Sequence, residues 1–269
     1  VSTAISSRTF GAARAELGAD EVRIFIARPG CLEEADFRAR LEMLLRPDER
    51  MRAARFHFAR DRDLYLLARG VVRLALGEAT GIAPPCWQFR ITGEGQPVVA
   101  SPRSAIRFSI SHTAGMVACA LSHDRAVGVD VEGTRRARVL PIAEQFFSPL
   151  ERGELATIAP HEQPARFFEY WTLREAYAKA RGQGFHLPLE RIAFRSTPGF
   201  GWRLAASDDG DQPLDDWHVV SWKPGCDYQI AVASCDRAAS LQLCLYELHE
   251  DASATSTPPP PSAVSFGGR

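Results

Sequence analysis

At 269 residues, the chain is long enough to bury a sizeable core, as one large domain or two small ones. Its 32 Lys and Arg against 33 Asp and Glu leave a formal net charge of -1, so no overall field favours nucleic acid as a partner. No apolar run approaches the roughly 20 residues of a membrane helix, and the six cysteines form neither a CxxC pair nor zinc-finger spacing with histidine. Reduced thiols in a cytoplasmic protein without membrane attachment are expected.

Residues 1–20 and the tail 251–269 are small, polar or proline-rich, and are expected to be flexible extensions. EVRIFIA (21–27) alternates like a strand, and helical patterns follow at 32–45 and 47–58. A longer helix is predicted from Asp61 to Leu76, because Leu64, Leu67, Ala68, Val71, Val72 and Ala75 recur at three and four residues. The short strands WQFRI, QPVVA, IRFSIS and MVACALS complete an N-terminal half, 21–122.

The strand AVGVDVE opens a C-terminal half, 123–250, in which the order repeats. Helices are predicted at 139–147, 149–158 and 164–181, then strands in IAFRS, WRLAA, WHVVSW, YQIAVAS and LQLCLYE. The predicted fold class is α+β, a pseudo-two-fold pair of similar halves, each a long helix on a small, mostly antiparallel sheet. A cleft between such halves is a common place for a ligand.

Within VGVDVEG, residues two apart face the same way, so Asp130 and Glu132 project together while Val127, Val129 and Val131 point oppositely. Two carboxylates on one face repel unless solvent or a cation intervenes. The pattern fits either a solvated strand face or half of an oxygen-ligand site for Mg²⁺. On the helix of 164–181, Glu175 and Lys179 stand at i, i+4, the spacing of an ordinary surface ion pair, though Trp171 and Tyr177 flank them with aromatic bulk. In IRFSISH, Ser109 and Ser111 share a face and His112 is placed just past the strand end, as a phosphate-binding group or a turn histidine. RPDERMRAARFHFARDRDLYLLARGVVR offers forked arginine donors suited to phosphate. GxSxG, HExxH and GxxxxGK[ST] motifs are absent, which removes the commonest hydrolase, zinc-protease and P-loop readings.

Taken in order, DERMRAARF, GEGQP, FSISH, VGVDVE, FFSPLE and WTLREAYAKARGQG resemble the Sfp-type 4′-phosphopantetheinyl transferases. The resemblance spans residues 48–184 and implies an active site between two pseudo-symmetric halves. It also implies Mg²⁺-dependent transfer of phosphopantetheine from coenzyme A to a serine of an apo acyl or peptidyl carrier protein, releasing 3′,5′-ADP. Asp130, Glu132 and Glu175 correspond to the family's magnesium carboxylates, and Lys179 to a cation on the pyrophosphate. Glu175 is the first choice of base for the serine, and Glu151, as holder of a metal-bound water, the second. Ser111 and His112 are assigned to the phosphate end of coenzyme A, with Arg52 and Arg69 as partners of its 3′-phosphate and Gln96 in the same binding region.

The chain departs from the family where Gln96 replaces the lysine of GKP, Gln183 that of GKG, and Arg174 that of WxxKE. Glu49 stands at a position that is basic in some members. A non-catalytic carrier-docking module and a magnesium-dependent nucleotide phosphohydrolase are the alternatives. A complete site in one chain implies a monomer.

Overall fold

The computed structural model describes residues 2–9, 16–135, 139–183, 187–197, 201–207, 213–235 and 240–248. In chain order, strands β1 (Ser2–Thr9) and β2 (Glu21–Ala27) precede helices α1 (Ala35–Leu44), α2 (Pro47–Ala54) and α3 (Ala59–Thr80). Strands β3 (Gln88–Ile91), β4 (Pro97–Ser101), β5 (Ile106–Thr113), β6 (Met116–His123) and β7 (Val127–Gly133) follow. Then come helices α4 (Leu140–Phe146), α5 (Pro149–Thr157) and α6 (Gln163–Arg181). Strands β8 (Ala193–Thr197), β9 (Gly201–Ala206), β10 (Trp217–Trp222), β11 (Tyr228–Cys235) and β12 (Ser240–Leu248) end the described chain.

The chain folds as two compact units, and neither is continuous in sequence. The first takes Thr3–Arg90, Val98–Asp124 and the chain from Ser240 onward. Its five-stranded sheet has the order β1-β12-β2-β6-β5, with β12 parallel to β2 and the pairs β2/β6 and β6/β5 antiparallel. Helix α3 packs on that sheet. Its Leu67, Val71 and Ala75 share a core with Phe25, Val117, Cys119 and Leu121, the stripe that the three-and-four spacing demands.

Two features differ from the sequence expectation. Residues 2–9 form an edge strand, and β12 crosses into the first sheet. Placed between β1 and β2, β12 has neighbours on both edges, and its Leu243, Cys244, Tyr246 and Leu248 are buried. Tyr246 stacks on Phe25 with ring centroids 4.8 Å apart. LQLCLYEL is a nearly continuous apolar run of the kind that a strand with a parallel neighbour buries.

The second unit takes Ile91–Pro97 and Arg125–Ala239. Its sheet, β10-β11-β7, is antiparallel throughout, and the hairpin β8–β9 stands beside it. Helix α6 lies on the sheet, and Leu173, Ala176 and Tyr177 share a core with Ala231, Ala233 and Val219.

One residue sets how closely α6 approaches. A Cβ on Gly128 would fall 1.9 Å from the Ala176 carbonyl oxygen and 2.6 Å from the Ala180 nitrogen. Only glycine lets helix backbone rest on strand backbone in this way. Because side chains alternate, Gly128, Asp130 and Glu132 share the face beneath α6, while Val127, Val129 and Val131 are buried on the other. Gly128→Ala should therefore push α6 off β7. We expect a loss of at least about 3 kcal/mol, the upper range for overpacking, read from urea unfolding; unchanged stability would contradict the close approach.

Candidate active site

The face beneath α6 gathers the acidic groups. Asp130, 4% exposed, accepts a 2.6 Å hydrogen bond from the Lys179 ammonium through Oδ1. Lys179 thus reaches across to β7, where helical spacing alone suggested only a surface pair with Glu175. One turn earlier, the Glu175 carboxyl is held above its ordinary range, first by burial and then by the neighbouring charge of Asp130, with Lys179 and Arg174 pulling the other way. Glu132, at the half-buried end of the strand, completes the row.

These donors are all hard oxygens, and two of them, Asp130 and Glu175, lie near enough for the charge of one to act on the other. That is the chemistry Mg²⁺ takes, usually through one or two carboxylates plus substrate phosphates and water. Among the described residues, no three His, Cys, Asp or Glu side chains come close enough to hold an ion together. Asp130 and Glu175, electrostatically coupled, are the residues of this face that would hold such an ion, with Glu132 farther along the strand.

Glu151 and Arg174 lie elsewhere, in the structural core of the same unit. Ser148 and Glu151 form a reciprocal capping box at the start of α5. Both Glu151 oxygens are engaged, one by the Phe194 backbone N–H at 3.0 Å and the other by Ser148 and the Arg174 guanidinium. Arg174 also donates to the carbonyls of Leu189 and Ile192 and lies 4.6 Å from the centre of the Phe147 ring. Both side chains are fully enclosed. Glu151 thereby holds α5, α6 and β8 together, with both oxygens bonded within the protein and the side chain fully enclosed. The arginine at 174 suits this place, since its guanidinium fork spreads donors to Glu151 and to the Leu189 and Ile192 carbonyls at once.

In the first unit, Arg52 and Arg69 converge on one ring, with guanidinium carbons 5.7 and 5.3 Å from the centre of Tyr65. Glu49 stands behind them. It caps α2 by accepting from the Arg46 backbone N–H at 3.0 Å, pairs with the buried Arg73 at 2.8 Å, and lies 3.9 Å from Arg69. Ser111 is buried and His112 exposed. His112 is not past the strand end, because β5 continues through Thr113 and pairs His112 with Val117; the glycine that turns the chain is Gly115, at φ 87°. Gln96, at the tip between β3 and β4, donates from Nε2 to the Lys179 carbonyl at 2.6 Å. Gln183 follows the Gly182 cap of α6, and Gly184 lies outside the described residues.

Residues 126–233 match the family model described as the 4′-phosphopantetheinyl transferase superfamily, and residues 33–124 the model described as 4′-phosphopantetheinyl transferase, N-terminal. The 4′-phosphopantetheinyl transferase HetI of a Nostoc species is 34% identical over 161 residues, 59% of this chain and 68% of HetI. This chain belongs to the 4′-phosphopantetheinyl transferase family. A 4′-phosphopantetheinyl transferase of Bacillus subtilis is 27% identical across 83% of this chain and 96% of its own length. The B. subtilis transferase Sfp is 29% identical across 64% and 74% respectively. The enzyme's matched segments include β7 and α6, the two elements that carry Asp130, Glu175 and Lys179.

Sequence reasoning missed the structural carboxylates. The signal was present in RPDE (46–49) and SPLE (148–151), where proline at the first helical position and glutamate two residues later mark a helix start. Removing the Arg174 charge leaves Glu151 buried without its cation, so Arg174→Met should cost about 3–5 kcal/mol in guanidinium unfolding. A change below about 1 kcal/mol would show that the pair does not hold the unit together.

Proposed function

We propose that the enzyme transfers 4′-phosphopantetheine from coenzyme A to a serine of an apo acyl or peptidyl carrier protein, with Mg²⁺ held by Asp130 and Glu175 and with Glu132 beside them. The observation that carries this reading is the grouping of buried Asp130 on β7 with half-buried Lys179 and Glu175 on α6, in a chain whose family is established. The ion, when bound, supplies positive charge toward the pyrophosphate.

The chain's own residues divide the remaining work. Lys179 offers its ammonium to a phosphate oxygen, with Asp130 fixing where that ammonium stands. Glu175 receives the serine proton as the hydroxyl oxygen bonds to the phosphorus bearing pantetheine. The bond from that phosphorus to the bridging oxygen breaks, and the departing group is 3′,5′-ADP. Burial of Asp130 limits the access of water to its carboxylate and strengthens its field, and Glu175 beside it is half-buried.

The phosphate end of coenzyme A is assigned to Ser111 and His112, and its 3′-phosphate to Arg52 and Arg69. Supporting the last pair is their shared packing against the Tyr65 ring, which gives two forked donors one common anchor. No helix of the described residues is long and apolar enough to cross a membrane. We place the reaction in the cytoplasm and assign it to a monomer.

Incubation with coenzyme A, Mg²⁺ and an apo carrier protein should add one phosphopantetheine to the carrier by mass spectrometry, and a chelator should stop the reaction until Mg²⁺ is restored. Asp130→Ala and Glu175→Ala should each lower the rate by more than about 100-fold, the upper end of what loss of an outer-shell group costs, with the circular dichroism spectrum retained. Near-normal turnover in either variant would refute the assignment. Release of ADP without a gain in carrier mass would point to hydrolysis instead.

A further inference from the structure

Gln96 is held rigidly on both sides. Between β3 and β4, the Thr92 N–H donates to the Gln96 carbonyl at 2.8 Å and the Gly95 N–H to the Thr92 carbonyl at 3.1 Å. The Gln96 N–H donates to the Thr92 hydroxyl at 3.2 Å. Gly95 adopts φ 84° to close this turn, and Pro97 starts the next strand. The side chain therefore leaves a fixed backbone.

Its amide goes to the end of α6. Nε2 donates to the Lys179 carbonyl at 2.6 Å, and the Gly182 N–H donates to the same oxygen at 3.2 Å. Oε1 lies 3.4 Å from where a Cβ on Gly182 would stand, so the amide rests on the left-handed cap of the helix. The last carbonyls of a helix have no intrahelical donor. Here one of them is satisfied twice, and it belongs to the residue whose ammonium bonds Asp130.

We propose that Gln96 is a positioning residue, acting through the Lys179 carbonyl to fix the last turn of α6 and so the place of the Lys179 ammonium, and not through contact with a coenzyme A phosphate. Replacement of a family lysine by glutamine then exchanges one contact for another, because an amide of similar reach keeps a donor on this carbonyl without adding a second cation beside Lys179. The inference rests on the transferase reading for its consequence in turnover, and on the hydrogen bonds alone for its consequence in the helix end.

The test pairs steady-state kinetics with hydrogen exchange on the full chain. Gln96→Ala and Gln96→Glu remove the donor, and should lower kcat by about tenfold, the upper range for one lost hydrogen bond, with KM for coenzyme A changed less than about twofold. Amide exchange at Gly182, measured without substrate, should rise by a similar factor. Gln96→Lys keeps a donor of similar length and should rescue both kcat and protection. A rise in KM for coenzyme A at unchanged kcat would overturn the proposal in favour of phosphate contact, and so would unaltered exchange at Gly182 in Gln96→Ala. Should the unsubstituted protein fail to modify a carrier, the transferase reading falls by itself while the exchange measurement still decides the role of Gln96.

Discussion

The contact on which the site depends is backbone against backbone, where α6 rests on Gly128. No side chain separates helix from strand at that point, so the neighbouring positions on the same face, Asp130 and Glu132, lie directly beneath α6. Lys179 then bonds Asp130 without a long reach, and Glu175 lies near enough to feel its charge. Burial that would be costly for an isolated Asp130 is tolerated because Lys179 pairs with it, while its charge still raises the pKa of Glu175. That repulsion between neighbouring carboxylates is what a hard cation would relieve, and it originates in a packing constraint. A larger residue at position 128 would change the chemistry only by changing the distance.

Both units are braced by the same device. In each, a short helix opens with proline at its first position and glutamate two residues later, and that glutamate takes a fully enclosed guanidinium from the long helix that follows. Glu49 of α2 receives Arg73 of α3, and Glu151 of α5 receives Arg174 of α6. Each guanidinium also lies over a ring, Phe89 for Arg73 and Phe147 for Arg174. Burial lowers the pKa of both arginines and the paired carboxylate opposes it. Removing one member leaves a buried charge, which makes such pairs stringent about their partners. The parallel gives a residue-level content to the repeat that the order of elements suggests.

Much of the fold was legible because apolar periodicity reports which face is buried. The stripe of α3 and the alternation of β7 are examples, and both elements appear close to where spacing puts them. β12 was assigned to the wrong sheet, since periodicity says that a strand is buried and not which neighbour buries it. The charged face of β7 was readable as either solvated or functional. Burial removes the solvated reading for Asp130, and that burial comes from a helix whose contact is licensed by a glycine that looked unremarkable in the sequence. Glu175 and Lys179 were identifiable by resemblance, while the pairing of Lys179 with Asp130 was hidden because the two are 49 positions apart. Glu151 illustrates the opposite case. Its motif drew attention, yet its oxygens are spent on capping and on Arg174.

The central proposal is that Asp130 of β7 and Glu175 of α6 together hold one hard cation. Its most direct test is the binding of Mn²⁺, as a paramagnetic stand-in for Mg²⁺, followed by electron paramagnetic resonance in the absence of substrate. The account predicts one competitive site per chain, displaced by Mg²⁺ and lost in both Asp130→Asn and Glu175→Gln. Undiminished binding in those two variants would contradict it.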